Sequence, residues 1–204
     1  MLDGGRRAAE SISALLERNG MPIPRARRIL DFGCGCGRVV RHWQDLASDV
    51  HGCDYNRGAI RWCRQHLRFA TFAVNGLTPP LPYPSEHFDL VYALSVFTHL
   101  PEPLLVDWMR EMDRVLVPGG LLIASTHGEA CLDALDAGEQ AAFRTGQAVV
   151  KDEGSAGTNR CGVYVSAGYI RSRMAGRFRV LDIVPQGARG NPPQDLTLLQ
   201  KPEV

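Results

Sequence analysis

Three glycines separated by single residues, Gly33, Gly35 and Gly37, follow a short apolar run in "ILDFGCGCGRVV", Ile29 to Val40. A turn this rich in glycine, set between a strand and a helical pattern, lets a ligand lie against the backbone. An acid about 20 residues later, at the end of the next strand, is placed to accept hydrogen bonds from ribose hydroxyls. Asp54, which closes "DVHGCD", meets that condition. Alone, the pattern specifies a nucleoside-containing cofactor. The competing interpretation, a thiol or metal site at Cys34 and Cys36, lacks the C-x-x-C spacing of zinc ribbons and dithiol redox sites. No metal is expected.

Around this turn, strand and helix patterns alternate. Ala8, Ile12, Leu15 and Leu16 share one helical face, and Gly20 follows as a stop. "RRILDF", "DVHGCDY", "ATFAV", "FDLVYALS" and "LLIAST" read as five strands. Helices are expected from Val39 to Ala47, from Ala59 to Leu67 and after Pro101. In the last, Leu104, Leu105, Trp108, Met109, Met112, Val115 and Leu116 form an apolar stripe that "PGG" should end. "LTPPLPYPSEH" excludes regular structure through its prolines. Such alternation argues for a parallel α/β sheet with helices on both faces. At the C-terminal end, "CLDALDAGEQAAFRT" and "SAGYIRSRMAG" look helical, the second capped by Ser166, with a loop between them. "FRVLDIV" and "DLTLLQ" follow with no helical span between them. They should pair as an antiparallel hairpin, joined by the loop from Pro185 to Gln194.

Two details narrow the cofactor. Dinucleotide folds call for G-x-G-x-x-G, whereas Arg38 stands here in the place of the last glycine. Asp31, two residues before the first glycine, suits a ligand carrying an amino group rather than a pyrophosphate. "ILDFGCGCGRV" thus resembles the first motif, D/E-x-G-x-G-x-G, of class I S-adenosylmethionine (SAM)-dependent methyltransferases. "CDYN", "VNGLTPPLPYPSEHFDLVYALSVFTHL" and "DRVLVPGGLLIAST" resemble that family's later elements, in order, over residues 29–126. The likeness is to its small-molecule enzymes of methyltransferase types 11 and 12.

The resemblance implies one doubly wound domain over residues 1–204. Its seven strands would run 3-2-1-4-5-7-6, with strand 7 antiparallel. Residues 1–25 would be an N-terminal helical extension, and 129–168 an acceptor-side insertion offering Lys151, Asp152, Arg160 and Tyr164. The resemblance also assigns roles. Asp31 and the turn from Gly33 through Cys34 and Gly35 to Gly37 would hold the methionine end of SAM. Asp54 would take the ribose, Tyr55 the adenine face, and Asn75 with Gly76 the adenine edge. Ser95 would sit near the sulfonium. "NPPQ" at Asn191 echoes the N-P-P-Y motif of amine methylases, but that motif must follow the fourth strand, where "ALSVF" stands.

Methyl transfer needs alignment and exclusion of water, and an oxygen nucleophile also needs a base. Two histidines fall at the strand ends that form the crevice of such a sheet. His127, in "STHG", is the preferred base, and His99, in "SVFTHL", is the second. The alternatives are a loop histidine bonded to backbone, or one that holds the following helix. The expected function is methyl transfer from SAM to a small molecule or sugar-type metabolite. A non-catalytic SAM-binding regulatory module would share every cofactor feature. A nicotinamide- or flavin-dependent oxidoreductase is disfavoured by Asp31 and Arg38.

Bulk properties agree with that class. A net charge of +1 gives no field for nucleic acid or an anionic membrane. No apolar run reaches the about 18 residues of a membrane span. The first residues lack the apolar core of a signal peptide, so a cytoplasmic protein is expected, with its six cysteines reduced. The sequence leaves the oligomeric state and the acceptor atom open.

Overall fold

The computed structural model describes residues 2–190 and 194–203. β1 (Arg28–Phe32), β2 (Asp49–Asp54), β3 (Thr71–Val74), β4 (Phe88–Ala93) and β5 (Leu116–Thr126) pair in parallel. β8 (Arg179–Ala188) and β9 (Gln194–Gln200) form the expected antiparallel hairpin, and β9 runs antiparallel to β5. The sheet order is β3-β2-β1-β4-β5-β9-β8, the seven-stranded doubly wound arrangement with one reversed strand. β1 and β4 are adjacent where the order reverses, which opens a crevice beyond their carboxyl ends.

The central strands are buried on both faces, as an apolar parallel sheet requires. One face packs against α1 (Leu2–Arg18), through Ile12, Leu15 and Leu16, and α2 (Arg57–His66), through Ile60 and Cys63. The other face packs against α3 (Glu102–Val115), through Leu105, Trp108, Met109, Met112 and Val115. Asn56 caps α2 by accepting from the Gly58 and Ala59 amides at 3.0 and 3.1 Å. Lys201 Nζ donates to the Asp113 and Leu116 carbonyls at 2.6 and 2.8 Å, which satisfies the end of α3. No helix among the described residues is long and apolar enough to cross a membrane.

Within the main sheet and its helices three local expectations fail. The helix expected from Val39 to Ala47 is a single 3-10 turn, Val40–Trp43. The β-branched pair Val39–Val40 disfavours helix, and Trp43 Nε1 donates instead to the Tyr92 hydroxyl of β4 at 2.9 Å. The stripe nonetheless buries Val39, Val40 and Trp43. "PGG" does not end α3. It lies inside β5, where the ladder to β4 jumps from Leu116 to Leu121 and Gly119 takes φ 76°. β8 also runs on to Ala188, so the loop expected from Pro185 is shorter.

The region after β5 builds a small subdomain. Of the helix expected over residues 131–145 only α4 (Ala137–Arg144) forms, because Asp136 opens it with a capping box to Glu139, and Glu129–Ala134 is a separate 3-10 turn. β6 (Val149–Lys151) and β7 (Gly162–Tyr164) form a second sheet that the sequence pattern did not show. α5 (Ala167–Tyr169), capped by Ser166, continues as a π turn over Ile170–Met174.

Candidate active site

All three glycines of the turn after β1 have left-handed backbone, φ 79°, 52° and 65° at Gly33, Gly35 and Gly37, a conformation costly for other residues. A side chain at Gly33 would collide with Val96, and one at Gly37 with Leu67. The Gly33 and Cys34 amides donate to the Cys53 carbonyl at 2.8 and 3.0 Å, and so fold the turn onto β2. Gly33, Gly35 and the exposed Cys36 border a cavity of about 350 Å³ at the carboxyl ends of β1, β2 and β4. The Cys34 thiol is buried beneath the turn.

Asp54 borders the same cavity and is held from both sides. Oδ2 accepts from the Gly35 amide at 2.8 Å and Oδ1 from the Asn56 amide at 2.7 Å. Each carboxylate oxygen keeps a second lone pair, which two adjacent hydroxyls can use. Tyr55, half exposed, and Asn75 and Gly76 border the next stretch of wall. Asn75 Nδ2 donates to the Gly76 carbonyl at 2.7 Å, while its Oδ1 is buried with no partner. Trp108, assigned to the core by its helical position, is buried and also reaches this wall. Its indole donates to the Leu77 carbonyl at 2.9 Å.

Asp31 does not border the cavity. It is buried beneath the turn, where the Tyr92 hydroxyl and the Val40 amide hydrogen-bond to it. Burial raises its pKa to about 7, against the opposing pull of those hydrogen bonds and of Arg38. Arg38 itself borders the cavity.

The far wall holds Ser95 and His99. Ser95 is left-handed, φ 57°, at the exit of β4. His99 Nδ1 lies 2.6 Å from the Cys161 carbonyl, so that nitrogen carries the proton and Nε2 bears the lone pair. The Gly157 amide donates to the His99 carbonyl at 2.8 Å, and Gly157 and Asn159 complete the wall. His127, the preferred base on sequence grounds, does not border the cavity. Its Nδ1 donates to the Val163 carbonyl at 3.2 Å, its Nε2 faces the Gln194 amide at 3.5 Å, and its ring packs on Tyr164. Burial and the neighbouring His99 push its pKa down, so it is held neutral. Lys151 is occupied by the Ala134 carbonyl and Glu139, away from the cavity.

Gly157 and Asn159 in the cavity wall, and Gln194 behind Ser95, were not expected from the sequence. The first two sit in the turn-rich "GSAGTN", whose composition marks a loop without giving its destination. Asn191 lies outside the described residues. Among the described residues no group of three His, Cys, Asp or Glu side chains is arranged to hold a metal ion.

The family described as "Methyltransferase domain" matches residues 30–124, a span that contains the glycine turn, Asp54, Asn75, Ser95 and His99. That match covers 95 of the 204 residues, and over it the chain resembles the class I SAM-dependent methyltransferases. The chain is 31% identical over 121 residues to a malonyl-[acyl-carrier protein] O-methyltransferase of Enterobacter lignolyticus, covering 59% of the chain and 45% of that protein. It is 31% identical over 122 residues to a ubiquinone biosynthesis O-methyltransferase of Cereibacter sphaeroides, covering 57% and 49%. It therefore spans about half the length of these curated relatives. A SAM-dependent methyltransferase from Methanosarcina mazei superposes with a TM-score of 0.64 at 20% identity, covering 86% of the chain and 92% of that structure. That likeness shows the shared fold.

The residues bordering the cavity fit SAM, the cofactor that the resemblance implies. Adjacent ribose hydroxyls match the two remaining lone pairs of Asp54, and the unpartnered Asn75 Oδ1 matches the exocyclic amine of adenine.

Proposed function

We propose that this chain binds SAM in the cavity beside Asp54 and transfers its methyl group to an oxygen of a small-molecule acceptor. The observation that carries this is the Asp54 carboxylate. Backbone amides on both its oxygens fix it at the end of β2 on the cavity wall, and these bonds leave one acceptor position on each oxygen. SAM, when bound, supplies an electrophilic methyl on a sulfonium. Asp54 then orients the ribose, Asn75 Oδ1 accepts from the adenine amine, and the Gly33–Gly35 backbone lies along the methionine end.

His99 is the base in this proposal. Its Nδ1 proton is committed to the Cys161 carbonyl, so Nε2 is the nitrogen able to take a hydroxyl proton from the acceptor. His127 supports the wall through Val163 and Gln194. Gly157 and Asn159 make residues 129–168 the acceptor-side element and exclude water from that end. The two curated relatives are both named as O-methyltransferases, which supports an oxygen acceptor.

The test is titration calorimetry with SAM, its demethylated product S-adenosylhomocysteine, and NAD. Both sulfur nucleosides should bind and NAD should not. A metabolite screen with methyl-labelled SAM should then yield a labelled product. Binding without any labelled product would favour the regulatory SAM-binding module, and absence of binding would defeat both.

A further inference from the structure

Gln194 opens β9 in an almost fully buried position, beside the ends of β4 and β5. Its Oε1 accepts the Ser125 hydroxyl at 2.7 Å and the Ser95 hydroxyl at 3.1 Å. Ser125 Oγ also receives the Ser95 amide at 2.7 Å, so its one proton has nowhere else to go. The orientation of the amide is fixed from its other side as well. His127 has given its Nδ1 proton to the Val163 carbonyl, which leaves Nε2 as an acceptor facing Gln194 Nε2 at 3.5 Å. The amide thus presents oxygen to the two serines and nitrogen to the imidazole.

This wiring has a consequence for Ser95, whose left-handed backbone turns it to the cavity wall. A serine hydroxyl normally rotates to suit its surroundings, offering either a proton or a lone pair. With its proton held by Gln194, Ser95 Oγ has only lone pairs left for the cavity. A sulfonium polarises its methyl and methylene hydrogens, which an acceptor oxygen stabilises through C–H···O contacts. The neutral thioether of the product gains much less.

We propose that Gln194 is a positioning residue that locks Ser95 as a hydrogen-bond acceptor and thereby makes the site prefer sulfonium SAM over its thioether product. The proposal rests on the assignment of the cavity to SAM. Gln194 touches neither ligand and acts through Ser95. By way of His127 and Val163 the same amide joins the methyl-donor side of the cavity to β7 of the acceptor-side element.

The experiment compares dissociation constants for SAM and S-adenosylhomocysteine in the full chain. Gln194→Leu, which keeps the bulk and removes the acceptor, should weaken SAM about fivefold while leaving the product within roughly twofold. Gln194→Glu, which retains an acceptor oxygen, should keep at least the parent's preference for SAM. Ser95→Ala deletes the oxygen itself and should reproduce the loss; it decides the matter if the leucine variant does not fold. Equal weakening of both ligands in Gln194→Leu and Ser95→Ala, or an unchanged preference, would overturn the proposal. A parent protein that binds neither nucleoside would instead overturn the SAM assignment, before any variant is measured.

Discussion

Gly35 donates its amide hydrogen to Asp54 Oδ2 at 2.8 Å, which ties the glycine turn after β1 to the end of β2. Loop and acid therefore form one unit, with the Asn56 amide on the other oxygen fixing the rotation of the carboxylate. Asp54→Ala removes both the carboxylate proposed to hold the ribose and the brace on the turn. SAM affinity should fall more than tenfold, the scale of losing hydrogen bonds to a charged group. Asp54→Asn should fall between, because its NH2 must oppose either a backbone amide or the ligand. Calorimetry measures both, and unchanged affinity in the alanine variant would remove Asp54 from the site.

The thiols at the turn differ in access. Cys36 is exposed and borders the cavity. Cys34 and Cys63 are buried, hydrogen-bonded to each other, and lie 3.6 and 3.4 Å from the Gly35 carbonyl. That shared bond pushes the Cys34 thiol up and the Cys63 thiol down, with burial adding to the rise at Cys34. Iodoacetamide should label Cys36 before either buried partner, abolish SAM binding, and be slowed by saturating SAM. Peptide mapping by mass spectrometry follows each thiol. Full labelling of Cys36 with intact binding would place it clear of the ligand.

The two histidines should separate kinetically once an acceptor is identified. His99→Gln keeps a polar side chain but has no basic nitrogen, so turnover should drop by about 10²-fold or more with SAM affinity unchanged. His127→Gln should act through the wall and lower turnover less. A larger loss at His127 than at His99 would return the base to His127.

Fold legibility followed burial. The seven strands of the main sheet and α1, α2 and α3 were visible because apolar spacing records which side chains face the sheet, and most of their boundaries came out within a few residues. Where hydrogen bonding decided the local form, spacing misled. Val39 to Ala47 has a helical stripe, yet Trp43 turns to the Tyr92 hydroxyl and the segment tightens to one 3-10 turn. The proposed cofactor side was readable because Gly33, Gly35, Gly37 and Asp54 sit at fixed offsets from strand ends. The proposed acceptor side was not. Gln194 meets Ser95 across 99 residues, and His99 meets Cys161 across 62, and no local pattern encodes either pair.

Asp31 gives the pH dependence a definite sign. Its carboxyl is raised from 3.8 to about 7 by burial, so the folded chain holds a proton there that the unfolded chain releases. Its contribution to stability is therefore full below about pH 4 and is lost as the pH rises through about 7. Asp31→Asn keeps the shape and cannot ionise. Urea midpoints measured from pH 4 to 8 should fall less steeply in this variant than in the parent, and parallel curves would show that Asp31 ionises without cost.

Glu111 of α3 shapes the cavity from a distance. Its Oε1 accepts the Leu81 amide at 2.6 Å, and Arg114 grips both of its oxygens, at 2.6 and 2.8 Å. One turn earlier on α3, Trp108 holds the Leu77 carbonyl. The helix therefore clasps the proline-rich segment at two points that flank its turn, and Gly76 and Leu77 inherit their place in the cavity wall. Glu111→Ala strands the buried Leu81 amide and leaves Arg114 without its carboxylate partner. It should destabilise the chain by about 2–3 kcal/mol, seen as a lower urea midpoint at constant slope. Glu111→Gln keeps an acceptor for Leu81 and should recover part of the loss. At temperatures where both variants remain folded, the alanine variant should also bind SAM more weakly than the glutamine variant. Equal affinities with unequal stabilities would mean that the Trp108 bond alone sets the wall.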